Sequence, residues 1–263
     1  PLGIPAVRDR TVQRAVGEIL NAIYEPYFCE CSYGFRPGRS AHDALEDLRV
    51  TIDRQPVGYV VDADITAYFD KVNHKWLMEF LRHRIADKTT LRLIGKWLKA
   101  GILENGMVVR GDEGTPQGGP LSPLLANVYL HYVLDLWFEH KFKPSAKGAC
   151  ALVRYADDFV VCFEHRDEAE RFLEEIRERF RKYGLELSEE KTRKVEFGKG
   201  SKGNGGCGKS EEPRTFDFLG FTHYMRNKGK RGYSVARKPS RKSRNNFLGN
   251  VKLFLDQNME SSV

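Results

Sequence analysis

Apolar side chains recur every three or four positions in several stretches of the chain, which is typical of amphipathic helices. Ser40 and Asn73 each precede such a stretch and are suitable N-cap residues. Gly184 follows another stretch, where its conformational freedom suits the end of a helix. The spacing predicts helices over 11–24, 41–52, 76–81, 91–98, 124–133, 168–183 and 242–255.

Other stretches have the apolar patterns of β-strands. In the stretch 59–65, apolar residues at 61, 63 and 65 fall on one face, and Asp62 and Asp64 fall on the other. Apolar runs at 151–153 and 159–163 predict two strands joined by a tight turn, with Asp157 and Asp158 at its tip. Strands and helices in this order predict an antiparallel sheet backed by helices, an α+β fold.

The two adjacent carboxylates at the tip of this hairpin are the most informative polar feature. Two anions between apolar strands cost free energy unless a cation offsets them, and Mg²⁺ prefers oxygen ligands such as these. An ordinary turn remains the alternative for the motif alone, because Asp is a favoured turn residue. A Gly- and Pro-rich loop at 114–123 enters a predicted helix, so its backbone is suited to approach an anionic ligand closely.

Seven blocks in this order resemble the reverse transcriptases encoded by group II introns, from the first residue to about Lys242. The blocks are Pro-Leu-Gly-Ile-Pro at 1–5, Tyr-Gly-Phe-Arg-Pro-Gly-Arg-Ser at 33–40, Asp-Ile-Thr-Ala-Tyr-Phe-Asp at 64–70, Thr-Pro-Gln-Gly-Gly-Pro-Leu-Ser-Pro at 115–123, Tyr-Ala-Asp-Asp at 155–158, Gly-Leu-Glu-Leu-Ser-Glu-Glu-Lys-Thr at 184–192 and Phe-Asp-Phe-Leu-Gly-Phe at 216–221.

This resemblance implies a polymerase palm whose metal ligands are Asp64, Asp157 and Asp158, completed by the backbone carbonyl of Ile65. The expected cofactors are two Mg²⁺ ions, with Mn²⁺ as a substitute. Such a pair activates a primer 3′-hydroxyl and stabilises the departing pyrophosphate. The expected partners are an RNA template, a DNA primer, deoxynucleoside triphosphates and an intron RNA.

The resemblance also implies residues that contact the incoming nucleotide. Phe69 is expected to exclude a ribose 2′-hydroxyl, Gln117 and Gly118 to pack against the nucleotide, and Lys191 to neutralise pyrophosphate. The residues alone leave two alternatives open: Phe69 could be a core residue, and Lys191 could be a solvated surface lysine.

The overall charge agrees with a nucleic-acid enzyme. The chain has 43 Lys and Arg against 36 Asp and Glu, a formal net charge of +7. The excess is concentrated after Lys191, where Arg237 and Lys238 are interleaved with aromatic residues. Arg36 and Arg39 beside the turn at 37–38 are expected to hold the template, with a structural role in that turn as the alternative.

Three further features limit the possible settings. The five cysteines are odd in number and lack paired metal-ligand spacing, which favours reduced thiols in a bacterial cytoplasm or an organelle of bacterial descent. No apolar run is long enough to predict a membrane span. Six of the seven histidines, at 42, 74, 131, 140, 165 and 223, are scattered without metal-ligand spacing.

The expected organisation is partial fingers over 1–56, a palm over 57–235 and the start of a helical thumb over 236–263. A segment near 198–213, dense in Gly, Lys and Ser, is expected to be a mobile loop between two palm strands. Relatives carry a basic fingers segment ahead of the position of Pro1, so the chain is expected to be a fragment.

Two alternatives to a polymerase of an intron-type retroelement stay open. One is an intron-RNA-binding maturase fragment with little polymerase activity. The other is the same enzyme in a CRISPR-associated or antiviral defence system. Acids at all three expected metal positions favour the polymerase, because splicing alone gives no physical need for them.

Overall fold

The computed structural model describes residues 5–100, 102–104, 107–109, 113–115, 119–197, 215–227 and 233–259. The helices are α1 Val7–Tyr24, α2 Ala41–Arg54, α3 Tyr68–Lys71, α4 His74–Arg82, α5 Lys88–Lys99, α6 Ser122–Leu130, α7 Lys143–Ser145, α8 Arg166–Lys182 and α9 Arg241–Met259. The strands are β1 Tyr59–Ala63, β2 Ile102–Glu104, β3 Met107–Val109, β4 Cys150–Tyr155, β5 Asp158–Phe163, β6 Arg193–Glu196, β7 Thr215–Phe218, β8 Phe221–Asn227 and β9 Tyr233–Pro239.

The central sheet has four antiparallel strands in the order β4-β5-β1-β6. β2 and β3 form a separate hairpin, and β7, β8 and β9 form a second antiparallel sheet. The mixture of helices with antiparallel strands confirms the predicted α+β fold.

Both faces of the central sheet are buried. Val61 and Ala63 of β1 face the larger core, which α1, α4, α5, α6 and α8 complete. Val60 of β1 faces a second core formed with α2 and the sheet of β7 to β9. The predicted alternation along β1 is therefore confirmed for residues 61, 63 and 65, but the opposite face is buried as well.

Local signals in the sequence fix several helix ends. Ser40 caps α2 in a capping box, in which its hydroxyl accepts from Asp43 N–H and the Asp43 carboxylate accepts from Ser40 N–H. The Asn73 side chain accepts from Trp76 N–H at the start of α4. Gly184 ends α8 with a positive φ of 76°, a conformation that other residues adopt only with strain.

Two helices differ from their predicted patterns. In α1, Val12 and Ile19 are exposed although their spacing predicts burial, and the buried residues include Leu20 and Tyr24. The helix predicted through residue 133 continues beyond α6 as two π-helical segments, His131–Asp135 and Phe138–Phe142. The wider π turns place Asp135 fully inside the core.

The predicted boundary between palm and thumb, after residue 235, falls inside a continuous strand. β9 runs through this point to Pro239, and the following helix begins at Arg241. The Ser240 hydroxyl accepts from Ser243 N–H at this helix start. The segment predicted as a mobile loop near 198–213 lies outside the described residues; the strands before and after it, β6 and β7, belong to different sheets.

Two sequence-level expectations concern the chain as a whole. Within the described ranges, no helix has the length and apolar character needed to cross a bilayer. The four described cysteines, at 29, 31, 150 and 162, are free thiols.

Candidate active site

Three of the predicted metal ligands meet at one end of the central sheet. β1 pairs with β5 so that Asp62 lies opposite Val160 and Ala63 opposite Phe159. Continuing this register by one residue brings Asp64 opposite Asp158. Asp157 belongs to the turn between β4 and β5, beside Ala156, whose φ of 57° is left-handed.

A cleft of about 380 Å³ opens at this end of the sheet. Asp64, Ile65, Phe69, Asp157 and Lys191 all line it. Asp64 and Lys191 are 127 positions apart in the sequence, and the antiparallel pairing of β1 with β5 and β6 brings these segments together.

The carboxylates influence one another electrically. Burial raises the pKa of Asp157, and the nearby charge of Asp64 adds to the rise. Burial of part of its side chain raises the pKa of Asp158, and the nearby charges of Asp157 and Asp64 raise it further. The residue as a whole is still exposed to solvent. The site therefore concentrates negative charge that a bound cation would offset.

Lys191 supplies one such cation from the protein itself. Its ammonium group donates to the Asp64 carboxylate at 2.5 Å, and this bond, followed by the Asp64 charge, raises the Lys191 pKa. Ser188 N–H donates to the Asp64 carbonyl at 2.9 Å, which holds the segment before Lys191 beside the end of β1. The side chain of Lys191 is 70% exposed, so it is free to follow a ligand in the cleft.

The donor set suits a hard divalent cation. Asp64, Asp157, Asp158 and the Ile65 carbonyl offer oxygen atoms only, which Mg²⁺ and Mn²⁺ accept. Within the part of the chain that the structure describes, no three His, Cys, Asp or Glu side chains are already arranged around a metal position. A preformed set of three is not required, because Mg²⁺ commonly binds through one or two carboxylates plus substrate phosphates.

Phe69 both packs against the core and lines the cleft. Its ring is partly buried, packs against the larger core and contacts Tyr68 with ring centroids 5.5 Å apart. It also lines the cleft that contains Asp64. Thr115 N–H donates to the Phe69 carbonyl at 2.7 Å, so the start of the Gly- and Pro-rich loop is fixed next to this ring. Gln117 and Gly118 of that loop lie outside the described residues.

Arg36 is placed differently from the expectation that it holds a template. The residue is only 6% exposed, and its guanidinium donates to Glu25, to the Cys29 carbonyl and to the Ser32 carbonyl. A side chain with these buried partners is not available to a phosphate, because releasing it would leave the acceptors unsatisfied. The structure thus corrects the assignment of Arg36, whose guanidinium joins Glu25 at the end of α1 to the segment 29–32.

Arg39 remains accessible at the edge of the same turn. It pairs with Glu30, an exposed carboxylate, and its guanidinium lies 5.2 Å from the centroid of the Tyr33 ring. Exposed ion pairs are weak and exchange readily. A phosphate contact by Arg39 is compatible with this arrangement.

Arg237 and Lys238 project from opposite faces of β9, since adjacent strand residues alternate. The guanidinium of Arg237 lies over the Phe221 ring, on the face that includes His223. Lys238 pairs with Thr222, whose hydroxyl is bonded to Asp217. Both residues are exposed, and their contact with a template or primer stays a prediction.

Comparison with known proteins identifies the family of the chain. Residues 1–223 match the family described as reverse transcriptase (RNA-dependent DNA polymerase).

The chain belongs to the reverse transcriptase family.

Relatives of this reverse transcriptase chain include intron-encoded proteins. It is 40% identical to protein YkfC of Escherichia coli over 189 residues, which cover 61% of the chain and 50% of YkfC. It is 48% identical to the group II intron-encoded protein LtrA of Lactococcus lactis over 142 residues, 52% of the chain and 23% of LtrA. The chain thus spans half or less of the length of these relatives.

A solved structure supports the fold. Apo telomerase from Candida tropicalis, truncated from its C-terminal domain, superposes with a TM-score of 0.61 at 16% identity. The match covers 88% of the reverse transcriptase chain and 45% of the telomerase chain. At this identity the likeness concerns the fold alone, and it confirms the predicted polymerase palm.

Sequence reasoning missed a buried polar network directly behind the carboxylates. Arg154 of β4 and Asp135 are both completely buried and form two hydrogen bonds, at 2.7 and 2.5 Å. Arg154 also donates to Asn127, to the Ser32 hydroxyl and to the Ala156 carbonyl. The available signal in the sequence was Arg154 itself, because it is a charged residue directly after the apolar run that precedes Asp157 and Asp158.

The environment of Asp62 was only partly predicted from the sequence. Burial, followed by the charges of Asp158 and Asp217, raises the pKa of Asp62 to about 7. Sequence alternation placed Asp62 on the face of Asp64, but nothing in the spacing indicated that Asp217 of β7 approaches it from the second sheet.

Proposed function

We propose that this domain synthesises DNA on an RNA template, transferring nucleotides from deoxynucleoside triphosphates to a primer 3′-hydroxyl. The observation that carries the proposal is that Asp64 and Asp157 line one cleft, with the charge of Asp158 close to both, on a chain of the reverse transcriptase family. The cleft is open, as a site that accepts a primer end and a nucleotide must be.

In the proposed reaction, Asp64, Asp157, Asp158 and the Ile65 carbonyl hold divalent cations. Mg²⁺ bound there lowers the pKa of the attacking hydroxyl and stabilises negative charge on the phosphates. Positioning and electrostatic stabilisation account for most of the acceleration in phosphoryl transfer.

Other residues around the cleft orient the substrate. Phe69 presents its ring edge to the sugar of the incoming nucleotide. Lys191 exchanges its bond with Asp64 for one with the leaving pyrophosphate, which an exposed ammonium on a flexible stem permits. Gln117 and Gly118 are proposed to pack against the same nucleotide from the Gly- and Pro-rich loop.

The proposed partners are an RNA template, a DNA primer and an intron RNA. The similarity to a group II intron-encoded protein supports the last of these. It also supports a second candidate function, binding of intron RNA to assist splicing. The bacterial sources of both relatives support the bacterial cytoplasm as the place of action, and relatives with mitochondrial names support an organelle of bacterial descent as the alternative.

Replacing Asp157 with Asn tests the polymerase proposal. The substitution keeps the shape of the side chain and removes one ligand charge, so primer extension in Mg²⁺ should fall by at least about 1,000-fold, whereas affinity for an RNA–DNA primer–template should change less than about threefold. Single-nucleotide extension and filter binding on the full-length protein give both values.

Asp217→Asn is the matched control, since it removes one negative charge nearby without touching the three expected ligands. It should retain extension. Equal activity of Asp157→Asn and the unaltered protein would refute the polymerase proposal. Retained splicing by Asp157→Asn would show that RNA binding operates independently of synthesis.

A further inference from the structure

The turn that carries Asp157 and Asp158 rests on one buried guanidinium. Arg154 precedes the turn in β4 and has no solvent exposure. One of its terminal nitrogens, Nη1, donates to the Ala156 carbonyl at 2.8 Å and to the Asn127 amide oxygen at 3.0 Å. The other groups, Nε and Nη2, are held by Asp135 and the Ser32 hydroxyl.

The bond to Ala156 matters because of the conformation of that residue. Its φ of 57° is left-handed, a conformation that an alanine adopts only with strain and that surrounding contacts must therefore enforce. The Ala156 carbonyl and the Asp157 N–H belong to one planar peptide group. A hydrogen bond that holds the Ala156 carbonyl therefore also sets the orientation of the Asp157 backbone.

The same network reaches the segment packed beneath the turn. Asn127 donates to the Gly34 carbonyl at 2.5 Å. A Cβ atom on Gly34 would lie 2.4 Å from the Ala156 nitrogen, so the two backbones are in direct contact. Arg154 N–H donates to the Cys31 carbonyl, and Tyr33 N–H donates to the Arg154 carbonyl. The turn is thus supported from one side by backbone and from the other by the guanidinium.

A buried ion pair is an expensive way to stabilise a fold, because desolvation of both charges offsets their attraction. A pair of apolar residues between β4 and the π-helical segment would fill the same space. The guanidinium provides something that apolar residues do not, which is several donors in a fixed planar fork. Four acceptors on different segments use that fork, and one of them is the turn that carries two carboxylates.

We propose that Arg154 is a positioning residue: its guanidinium holds the Ala156 carbonyl and thereby keeps Asp157 and Asp158 in the geometry that binds divalent cations. This inference rests on the proposed function, because it assigns the carboxylates to metal binding. Asp135 and Asn127 act through Arg154 by holding the guanidinium in place.

The decisive comparison is between Arg154→Lys and Ser32→Ala in the full-length protein. Lysine keeps the charge beside Asp135 but cannot also reach Ala156 and Asn127. Ser32→Ala removes one hydrogen bond from the same guanidinium, on the nitrogen that does not contact the turn. The two variants therefore separate support of the turn from loss of a buried contact.

Two readouts follow the turn itself without any synthesis. Hydrogen–deuterium exchange at 155–159 should become at least about tenfold faster in Arg154→Lys and stay unchanged in Ser32→Ala. Binding of Mn²⁺, followed by its electron paramagnetic resonance signal, should weaken about 10-fold to 100-fold in Arg154→Lys only, as for other residues that orient metal ligands.

Activity gives a third readout. Single-nucleotide addition by Arg154→Lys should fall about 100-fold at fixed Mg²⁺, as expected for a small misplacement of reacting groups, with primer–template affinity retained. Raising the Mg²⁺ concentration should restore part of the rate. Ser32→Ala should add nucleotides at the same rate as the unaltered protein. It should also reach half of its maximal rate at the same Mg²⁺ concentration.

If Arg154→Lys does not fold, Asn127→Ala decides the test, because it removes one of the two acceptors of Nη1 and the bond to Gly34. It should show the same changes to a smaller degree. Equal exchange, Mn²⁺ binding and Mg²⁺ dependence in the positioning variant and Ser32→Ala would overturn the proposal.

The outcome is separable from failure of the proposed function. An unaltered protein that extends no primer would refute the polymerase assignment. Faster exchange at 155–159 together with weaker Mn²⁺ binding in Arg154→Lys would still establish Arg154 as the residue that positions the carboxylates.

Discussion

At the scale of single residues, the environment of a side chain decides between roles that its identity leaves open. Arg36 and Arg39 have the same chemistry and lie three positions apart, yet one is buried on carbonyl groups and the other is paired at the surface. Phe69 shows the opposite case, since a partly buried ring both packs in the core and lines the cleft. Its expected function can be tested directly.

Phe69→Ala should reduce discrimination against ribonucleotides. Removing the ring makes room for a 2′-hydroxyl, so the ratio of deoxyribonucleotide to ribonucleotide incorporation should fall by about 10-fold to 100-fold. Single-nucleotide extension with each triphosphate measures the ratio. Tyr68→Phe is the control, because it deletes a buried hydrogen bond to the Ala126 carbonyl on the neighbouring ring and should leave the ratio unchanged. An unchanged ratio in Phe69→Ala would mean that the ring is only a packing residue.

At the scale of elements, the sheet of β7 to β9 depends on a buried histidine. His223 of β8 is fully buried, and its ring stacks on Phe216 of β7 with centroids 4.9 Å apart. Burial, followed by the charge of Arg237, lowers the pKa of His223 to about 4. The neutral ring is therefore the form that fits this sheet.

The free energy of unfolding should consequently depend on pH through this residue. The unfolded chain binds a proton on His223 below about pH 6.5, whereas the folded sheet does so only near pH 4. The contribution of His223 is thus complete above pH 6.5 and lost as pH falls toward 4, with a limiting slope of about 1.4 kcal/mol per pH unit. His223→Phe should reduce the loss of stability between pH 7 and pH 5, measured by urea denaturation. Tyr224→Phe on the same strand controls for repacking, and a loss in His223→Phe equal to that of the unaltered protein would contradict the assignment.

At the scale of the whole molecule, positive charge lies around an acidic centre. The chain carries a net charge of +7, while the cleft concentrates carboxylates. The charges of Lys191 and Lys242 both oppose the rise in the Asp158 pKa, so the segment before β6 and the start of α9 both place a cation near this carboxylate. A nucleic acid in the cleft would contact cations that flank these acids.

The two faces of β9 provide a matched test of this arrangement. Lys238 shares a face with Thr222 and Asp217, whereas Arg237 lies on the other face with His223. Lys238→Ala should weaken primer–template binding and reduce the slope of log affinity against log salt by about 0.7 to 0.9, the value for one phosphate contact. Arg237→Ala removes the same charge and should leave the slope unchanged. Filter binding across a salt series measures both, and equal slopes for the two variants would exclude a face-specific contact.

The sequence by itself determined most of the elements and the family of the protein. Ser40, Asn73 and Gly184 fix helix ends through bonds or backbone conformations that involve only near neighbours, so each is readable locally. The hairpin with two carboxylates at its tip follows from a short apolar pattern in the same way. The motif series further predicted the reverse transcriptase family and the palm fold, which the comparisons confirm.

Only the tertiary structure decided what each charge does. The fork of Arg154 joins β4 to Asp135, Asn127 and Ser32, and these residues are separated in sequence by 19 to 122 positions. The burial of Arg36 and the approach of Asp217 to Asp62 likewise depend on packing between distant segments. A sequence pattern records which residues can be buried, but desolvation and hydrogen-bond partners exist only once the chain has folded, and these determine whether a charge binds a ligand or stabilises the protein.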